Sequence, residues 1–259
     1  ELLASKKLLN YSKSILMLNK TKEQTRTPSG IAGLDQLTYG GLPTGKSYLI
    51  SGEPGTGKTI LSLQFLLEGL KNNENTIYIS IDEKPDHVIK DAEALGWDLQ
   101  HYLQNGKLNI IDITTYFGSS KDKEGNTIDS KLIVNKITEY IKSINPTRIV
   151  IDPIAPLILS DNSIPDVIEY IRSLIFEVES IDNCTTLLTS YIPVGSTKVS
   201  FFGIEEFASS GIIHLKLLPQ NNKRIRTISI RKMRGTRIDL SEYSFEILPE
   251  RGIVLRQAL

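Results

Sequence analysis

The sequence is poor in sulfur and in net charge: one cysteine, two methionines, and 30 Lys plus Arg set against 30 Asp plus Glu. A lone Cys184 cannot form a disulfide within the chain, and its place in the apolar stretch CTTLLTSY fits a reducing, cytoplasmic compartment. Zero formal net charge leaves no global field drawing the molecule to nucleic acid or to an anionic membrane, so any such binding must be local. No uninterrupted apolar run approaches ~18 residues, which argues against a membrane span. The N-terminal stretch ELLASKKLLNYSKSILMLNK is interrupted by lysines and does not read as a secretory signal. No internal repeat and no low-complexity tract occurs. At 259 residues the chain is long enough for one large core with an appendage.

What is present begins with LISGEPGTGKTILSLQF, residues 49–65. An apolar run leads into Gly52-Glu53-Pro54-Gly55-Thr56-Gly57-Lys58-Thr59, followed by Ile60, Leu63, Phe65 and Leu67 at helical spacing. This is the G-x-x-x-x-G-K-[ST] spacing of a phosphate-binding loop, set between a strand and a helix where its chemistry needs it. Glycines 52, 55 and 57 let the backbone curl so that successive N–H groups point inward, and the helix behind adds its unpaired donors and positive dipole end. A polyphosphate is the natural guest. Lys58 is placed to reach the β and γ phosphates, and the Thr59 hydroxyl to ligate Mg²⁺. Residues 52–60 are therefore the expected nucleotide contacts.

Around this loop, β-branched runs alternate with longer helical patterns. Strands are expected at 76–81, 107–113, 147–152 and 184–190, and helices near 60–71, 85–95, 129–143 and 164–182. That alternation predicts an α/β fold with a mostly parallel central sheet and helices on both faces. After about residue 211 the helices stop, and SGIIHLKLL, RIRTISIRKM, YSFEIL and GIVLRQ predict consecutive antiparallel strands finishing one edge. Ahead of this domain, residues 1–26 read as an amphipathic arm, with Leu2, Leu3, Leu8, Leu9, Ile15 and Leu16 set off by lysines, then a polar linker. The core domain is placed at 27–259.

Three further groups carry chemistry. TRIVID ends in Asp152, a carboxylate delivered by a buried strand to the C-terminal edge of the sheet, where it can face Mg²⁺. In TIYISIDEKP, Asp82 and Glu83 follow the apolar run, and either can orient or deprotonate an attacking water, or instead cap the helix that starts near Pro85. Residues 223–237 hold Lys223, Arg224, Arg226, Arg231, Lys232, Arg234 and Arg237 with no acidic residue. Such a run is either a phosphate-directed set or a solvated edge that opposes aggregation.

With these residues in view, the chain resembles the KaiC-like branch of the RecA superfamily of P-loop ATPases. PSGIAGLDQLTYGGLPTGKSYLISGEPGTGKT, YISIDEKPDHVIKDAEALGWDL, IVIDPIAPL and IRKMRGTRIDLSEYSFEI stand in the family's order. The resemblance implies a RecA-like core, ATP with Mg²⁺, and a ring, a hexamer being one form, or a filament with nucleotide between neighbouring subunits. It makes the paired acids catalytic, here Asp82 and Glu83; since the family usually shows two glutamates, Glu83 is the better base. It also supplies a basic pair in trans from a K-x-R-G segment, here Lys232 and Arg234. Where family members autophosphorylate, the hydroxyl-bearing positions align with Glu206 and Phe207, so hydrolysis is expected over kinase activity. The leading expectation is slow ATP hydrolysis that regulates protein partners. The alternative is a recombinase-paralogue accessory ATPase that contacts DNA, which the zero net charge and the lack of an aromatic residue within the basic run disfavour.

Overall fold

The computed structural model describes residues 24–81, 83–113, 130–154 and 164–259. The expected amphipathic arm falls mostly on residues 1–23 and lies outside the described residues, as does Asp82. Arg26 and Thr27 form β1 (Arg26–Thr27), which pairs antiparallel with β2 (Leu42–Pro43) around the short helix α1 (Ala32–Leu37).

The rest is one nine-stranded sheet. Its strands are β3 (Ser47–Gly52), β4 (Thr76–Ser80), β5 (Leu108–Asp112), β6 (Arg148–Asp152), β7 (Thr185–Tyr191), β8 (Gly211–Gln220), β9 (Lys223–Met233), β10 (Glu242–Leu248) and β11 (Gly252–Ala258), in the order β11-β10-β9-β8-β3-β7-β6-β4-β5. The helices between them are α2 (Lys58–Lys71), α3 (Pro85–Ala94), α4 (Leu99–Gln104), α5 (Ser130–Ile144), α6 (Ile164–Glu179) and the single turn α7 (Glu205–Ala208). Every residue of β3 is buried, as expected of a parallel strand covered on both faces. Because side chains alternate across a strand, Tyr48 and Ile50 join the core under α2, α3 and α4, while Leu49 joins the core under α5 and α6.

The four strands after residue 211 pair antiparallel with one another as expected, β8 with β9, β9 with β10 and β10 with β11, while β8 also lies parallel to β3 and so joins them to the parallel part of the sheet. The physical reason is the connection: the chain leaves β7, crosses through α7, and returns to the far side of β3 in the same direction. Placing β3 between β7 and β8 buries the strand that carries the phosphate loop at the centre of the sheet.

At the opposite end of the sheet from that loop, the wholly buried Arg148 ties three segments together. Its guanidinium donates to Glu74 Oε2 at 2.8 Å, to the Pro28 carbonyl at 2.6 Å and to the Phe65 carbonyl at 2.8 Å. A Cβ at Gly69 would come within 2.5 Å of its Nε, so the helix passes over the guanidinium only because that residue is glycine.

Candidate active site

The loop from Glu53 to Gly57 joins the buried end of β3 to α2. Its glycines serve two different needs. Gly55 and Gly57 take φ of 78° and 105°, the left-handed region that favours glycine, whereas a Cβ at Gly52 would lie 2.5 Å from the Leu215 carbonyl. Thr56, fully buried, donates its hydroxyl to the Glu53 carbonyl at 2.8 Å and pins the curl. The first N–H to bond into the helix is that of Leu61, to the Gly57 carbonyl at 2.9 Å. The donors of Lys58, Thr59 and Ile60 therefore have no acceptor within the helix, the geometry that welcomes an anion. Lys58 lies across the loop, its Nζ donating to the carbonyls of Gly52 at 2.9 Å and Glu53 at 3.1 Å. Burial holds its pKa below the ordinary lysine value, opposed by the nearby Asp152 carboxylate.

Thr59 and Asp152, ninety-three positions apart, meet here: the Thr59 hydroxyl donates to Asp152 Oδ2 at 2.9 Å. Two neighbours that sequence reasoning missed complete the grip. Tyr78 donates its hydroxyl to the same oxygen at 2.6 Å, and Thr189 donates to Asp152 Oδ1. Burial, then the Asp152 charge, push the Tyr78 phenol well above its ordinary pKa, so it serves as a neutral donor. A hydroxyl and one clamped carboxylate suit Mg²⁺, which takes one or two protein oxygens and completes its shell with phosphate oxygens and water. Among the described residues no cluster of three or more His, Cys, Asp or Glu could hold a metal without such help. Asp152→Asn is therefore expected to weaken nucleotide binding in Mg²⁺ while leaving metal-free nucleotide affinity nearly unchanged, both read by titration of a fluorescent ATP analogue. Equal losses in the two conditions would remove Asp152 from the metal's surroundings.

Glu83 stands just past β4, partly buried. Burial, then repulsion from Asp91 and Asp152, raise its pKa above the ordinary carboxyl value, with His87 opposing. A raised pKa makes a stronger base. The capping alternative finds no support at Glu83, because Lys84 is the N-cap of α3 and no side chain caps it.

The basic run divides. Arg226 turns to its own phosphate loop, donating from Nε to the Gly55 carbonyl at 3.2 Å, and lines a cavity of about 400 Å³ walled by Ile60, Leu63, Leu95 and Ile247 above the start of α2. Lys232 and Arg234 go elsewhere. Lys232 Nζ donates to the carbonyls of Glu206 and Ser209, each at 2.7 Å, and Arg234 donates to that of Phe207 at 3.1 Å. Both are thus held at the C-terminal end of α7. Burial and the adjacent Arg234 lower the Lys232 pKa, with Glu206 opposing.

Against known proteins, a family model described as "ATPase: KaiC" matches residues 27–259. The circadian clock oscillator protein KaiC of a Nostoc species is 33% identical over 245 residues, which is 89% of this chain and 46% of that protein. The chain thus spans about half the length of the clock proteins it matches. A UPF0273 protein of Pyrococcus horikoshii is 32% identical over 238 residues, 89% of this chain and 93% of that one. The crystal structure of a KaiC-like protein from the same archaeon superposes with a TM-score of 0.77 at 32% identity, covering 90% of this chain and 99% of that one.

Proposed function

The chain belongs to the KaiC family of ATPases, and from that premise we propose that it binds ATP with Mg²⁺ and hydrolyses it slowly at sites completed between subunits of a homo-oligomeric ring, so that hydrolysis regulates its association with partner proteins. The observation that carries this reading is a division of the site. The phosphate loop, the Thr59–Asp152 pair and Glu83 gather at the C-terminal edge of the parallel strands, while Lys232 and Arg234 are held on α7 and bond to no residue of their own phosphate loop.

In this reading the phosphates lie on the orphan donors of Lys58, Thr59 and Ile60, with the Lys58 ammonium on the β and γ oxygens. Mg²⁺, held near Thr59 and Asp152, supplies charge neutralisation at the transferring phosphoryl group. Glu83 takes the proton of the attacking water, and the apolar cavity beside Arg226 receives the base. The site has a base, a loop with its own Lys58 and a metal pair; the charge that develops on the γ-phosphoryl oxygens calls for a further cation on the side away from Lys58. The neighbour's Lys232 and Arg234 fill that role. A single glutamate and phenylalanine at 206 and 207 leave no hydroxyl where family kinases would be modified, which favours hydrolysis over autophosphorylation.

The test follows from the division. An Arg234→Ala chain keeps a whole phosphate loop, and a Glu83→Gln chain keeps a whole basic pair, so mixed rings contain some complete sites. A cation supplied in trans is worth roughly 10³-fold or more in rate, so steady-state ATPase of the mixture is expected to rise above either parent. Co-assembled mixtures no more active than the parents would remove the trans arrangement. A second reading, DNA contact, rests on the exposed Lys223, Arg224, Arg231 and Arg237 along β9 and beyond it. It requires salt-dependent binding of DNA by the assembled protein.

A further inference from the structure

Glu205 is fully buried, yet among the described residues none of its hydrogen-bond partners is a cation. Its Oε1 accepts from the Ser190 hydroxyl at 3.2 Å and from the Phe202 N–H at 3.3 Å; its Oε2 accepts from the Ile204 N–H at 3.1 Å. A buried acid held only by neutral donors is costly, and an apolar residue of the same volume would pack α7 more cheaply. Its position gives the reason. Ser190 is the residue after Thr189, and side chains on a strand alternate, so the end of β7 offers Thr189 to Asp152 on one face and Ser190 to Glu205 on the other. Ser190 Oγ also accepts from the Phe201 N–H at 3.1 Å, which knots the returning loop to the same point. From Glu205 the chain makes a single turn. The carbonyls that close it, at Glu206, Phe207 and Ser209, are the ones that seat Lys232 and Arg234.

We propose that Glu205 is a positioning residue: it fixes α7 to the end of β7, and so sets where Lys232 and Arg234 stand for the neighbouring subunit's ATP while tying that pose to the Asp152 carboxylate of its own subunit. This rests on the trans arrangement proposed above. A turn of four residues has no room to bend within itself, so a shift of the Glu205 carboxylate moves the carbonyls that follow it. The two halves of the site on one subunit are then linked through covalent neighbours, Thr189 and Ser190, and one buried acid. Glu205 itself bonds to no residue of the phosphate loop, which the link meets only at its far end through Asp152 and Thr59, so loss of the Glu205 hold is distinguishable from loss of nucleotide binding.

Glu205→Gln keeps the shape, but the three partners all donate, so whichever way the amide turns, its NH₂ meets at least one N–H or O–H donor. Misplacing a catalytic group by about 1 Å costs up to roughly 10²-fold, and steady-state ATPase of the variant ring is expected to fall by roughly 10- to 100-fold. Fluorescent ATP-analogue affinity is expected within about twofold of that of the unaltered chain. The deciding readout is mixing. Glu205→Gln rings are expected to regain activity with Glu83→Gln chains, as Arg234→Ala rings do, and to gain nothing with Arg234→Ala chains. Recovery with Arg234→Ala, unaltered activity, or a lost nucleotide affinity in a folded variant each overturns the proposal. Failure of the Arg234→Ala and Glu83→Gln control pair to recover overturns the trans arrangement itself, and the two failures are read from different mixtures. If Glu205→Gln does not fold, Ser190→Ala, which deletes one donor and keeps the acid, takes its place: recovery with Glu83→Gln supports the role, and unaltered activity or recovery with Arg234→Ala overturns it.

Discussion

Replacing Lys58 by alanine is expected to abolish tight ATP binding in a chain that still folds. The ammonium is the loop's point charge, and it already sits over the curl on the Gly52 and Glu53 carbonyls, a short swing from where phosphate oxygens would lie. Each charge-assisted hydrogen bond is worth about 1.5 to 3 kcal/mol, so losing two costs about 3 to 6 kcal/mol, or roughly 10² to 10⁴ in dissociation constant. The fold has no matching dependence, since both apolar cores are built from the strands and helices and neither includes Lys58. Titration of a fluorescent ATP analogue, alongside thermal melting, decides it. Unchanged affinity in a folded variant would remove the phosphate-loop assignment.

Glu83→Gln is expected to bind ATP normally and to hydrolyse it roughly 10² to 10⁴-fold more slowly, because the amide keeps the shape and cannot take a proton. The pH profile adds a second check. Burial and the charges of Asp91 and Asp152 raise the Glu83 pKa above 4.5, its ordinary value, so the basic form is lost at a higher pH than for a free glutamate. Hydrolysis should therefore fall off on the acid side along a limb that begins above that value. The glutamine variant should lack the limb. If the variant hydrolyses at the unaltered rate, the base lies elsewhere, and Asp82 becomes the residue to replace.

Much of this site was legible because its chemistry is written in short contiguous runs. The phosphate loop needs particular residues at fixed spacing, and Asp152 stands out as an acid closing an apolar strand, a feature it shares with Asp112 of β5; the structure sets the Thr59 hydroxyl 2.9 Å from it. Tyr78 and Thr189 were not legible, and Arg226 stood out only as one of seven cations in its run. Each reaches the site sideways across the sheet, and neither the order β7-β6-β4 nor the seat of β8 beside β3 follows the order of the chain. The signals were faint: Thr189-Ser190 puts two hydroxyls after the apolar pair Leu187-Leu188 of β7, and Tyr78 lies two residues before the end of β4. The strands expected from β-branched runs fall within about two residues of those observed, whereas α4 was missed because six residues carry too little periodicity to stand out.

The central seat of β3 also bears on the order in which the protein is made. Both sheet neighbours of the phosphate-loop strand, β7 and β8, come from the last third of the chain, and β3 pairs with no strand between. A nascent chain that has emerged only as far as α6 has the whole loop sequence, Lys58 included, behind a strand with no ladder to lie in, although β6 and its Asp152 already have β4 to pair with. Pairing over so long a separation is slow, and domains generally fold as units during synthesis. ATP, which stabilises only the state that binds it, can thus help the chain only after Thr185–Tyr191 has been translated and docked. The nucleotide arrives as a late witness to folding, and a ribosome stalled before that point holds a chain that cellular ATP has no means to protect.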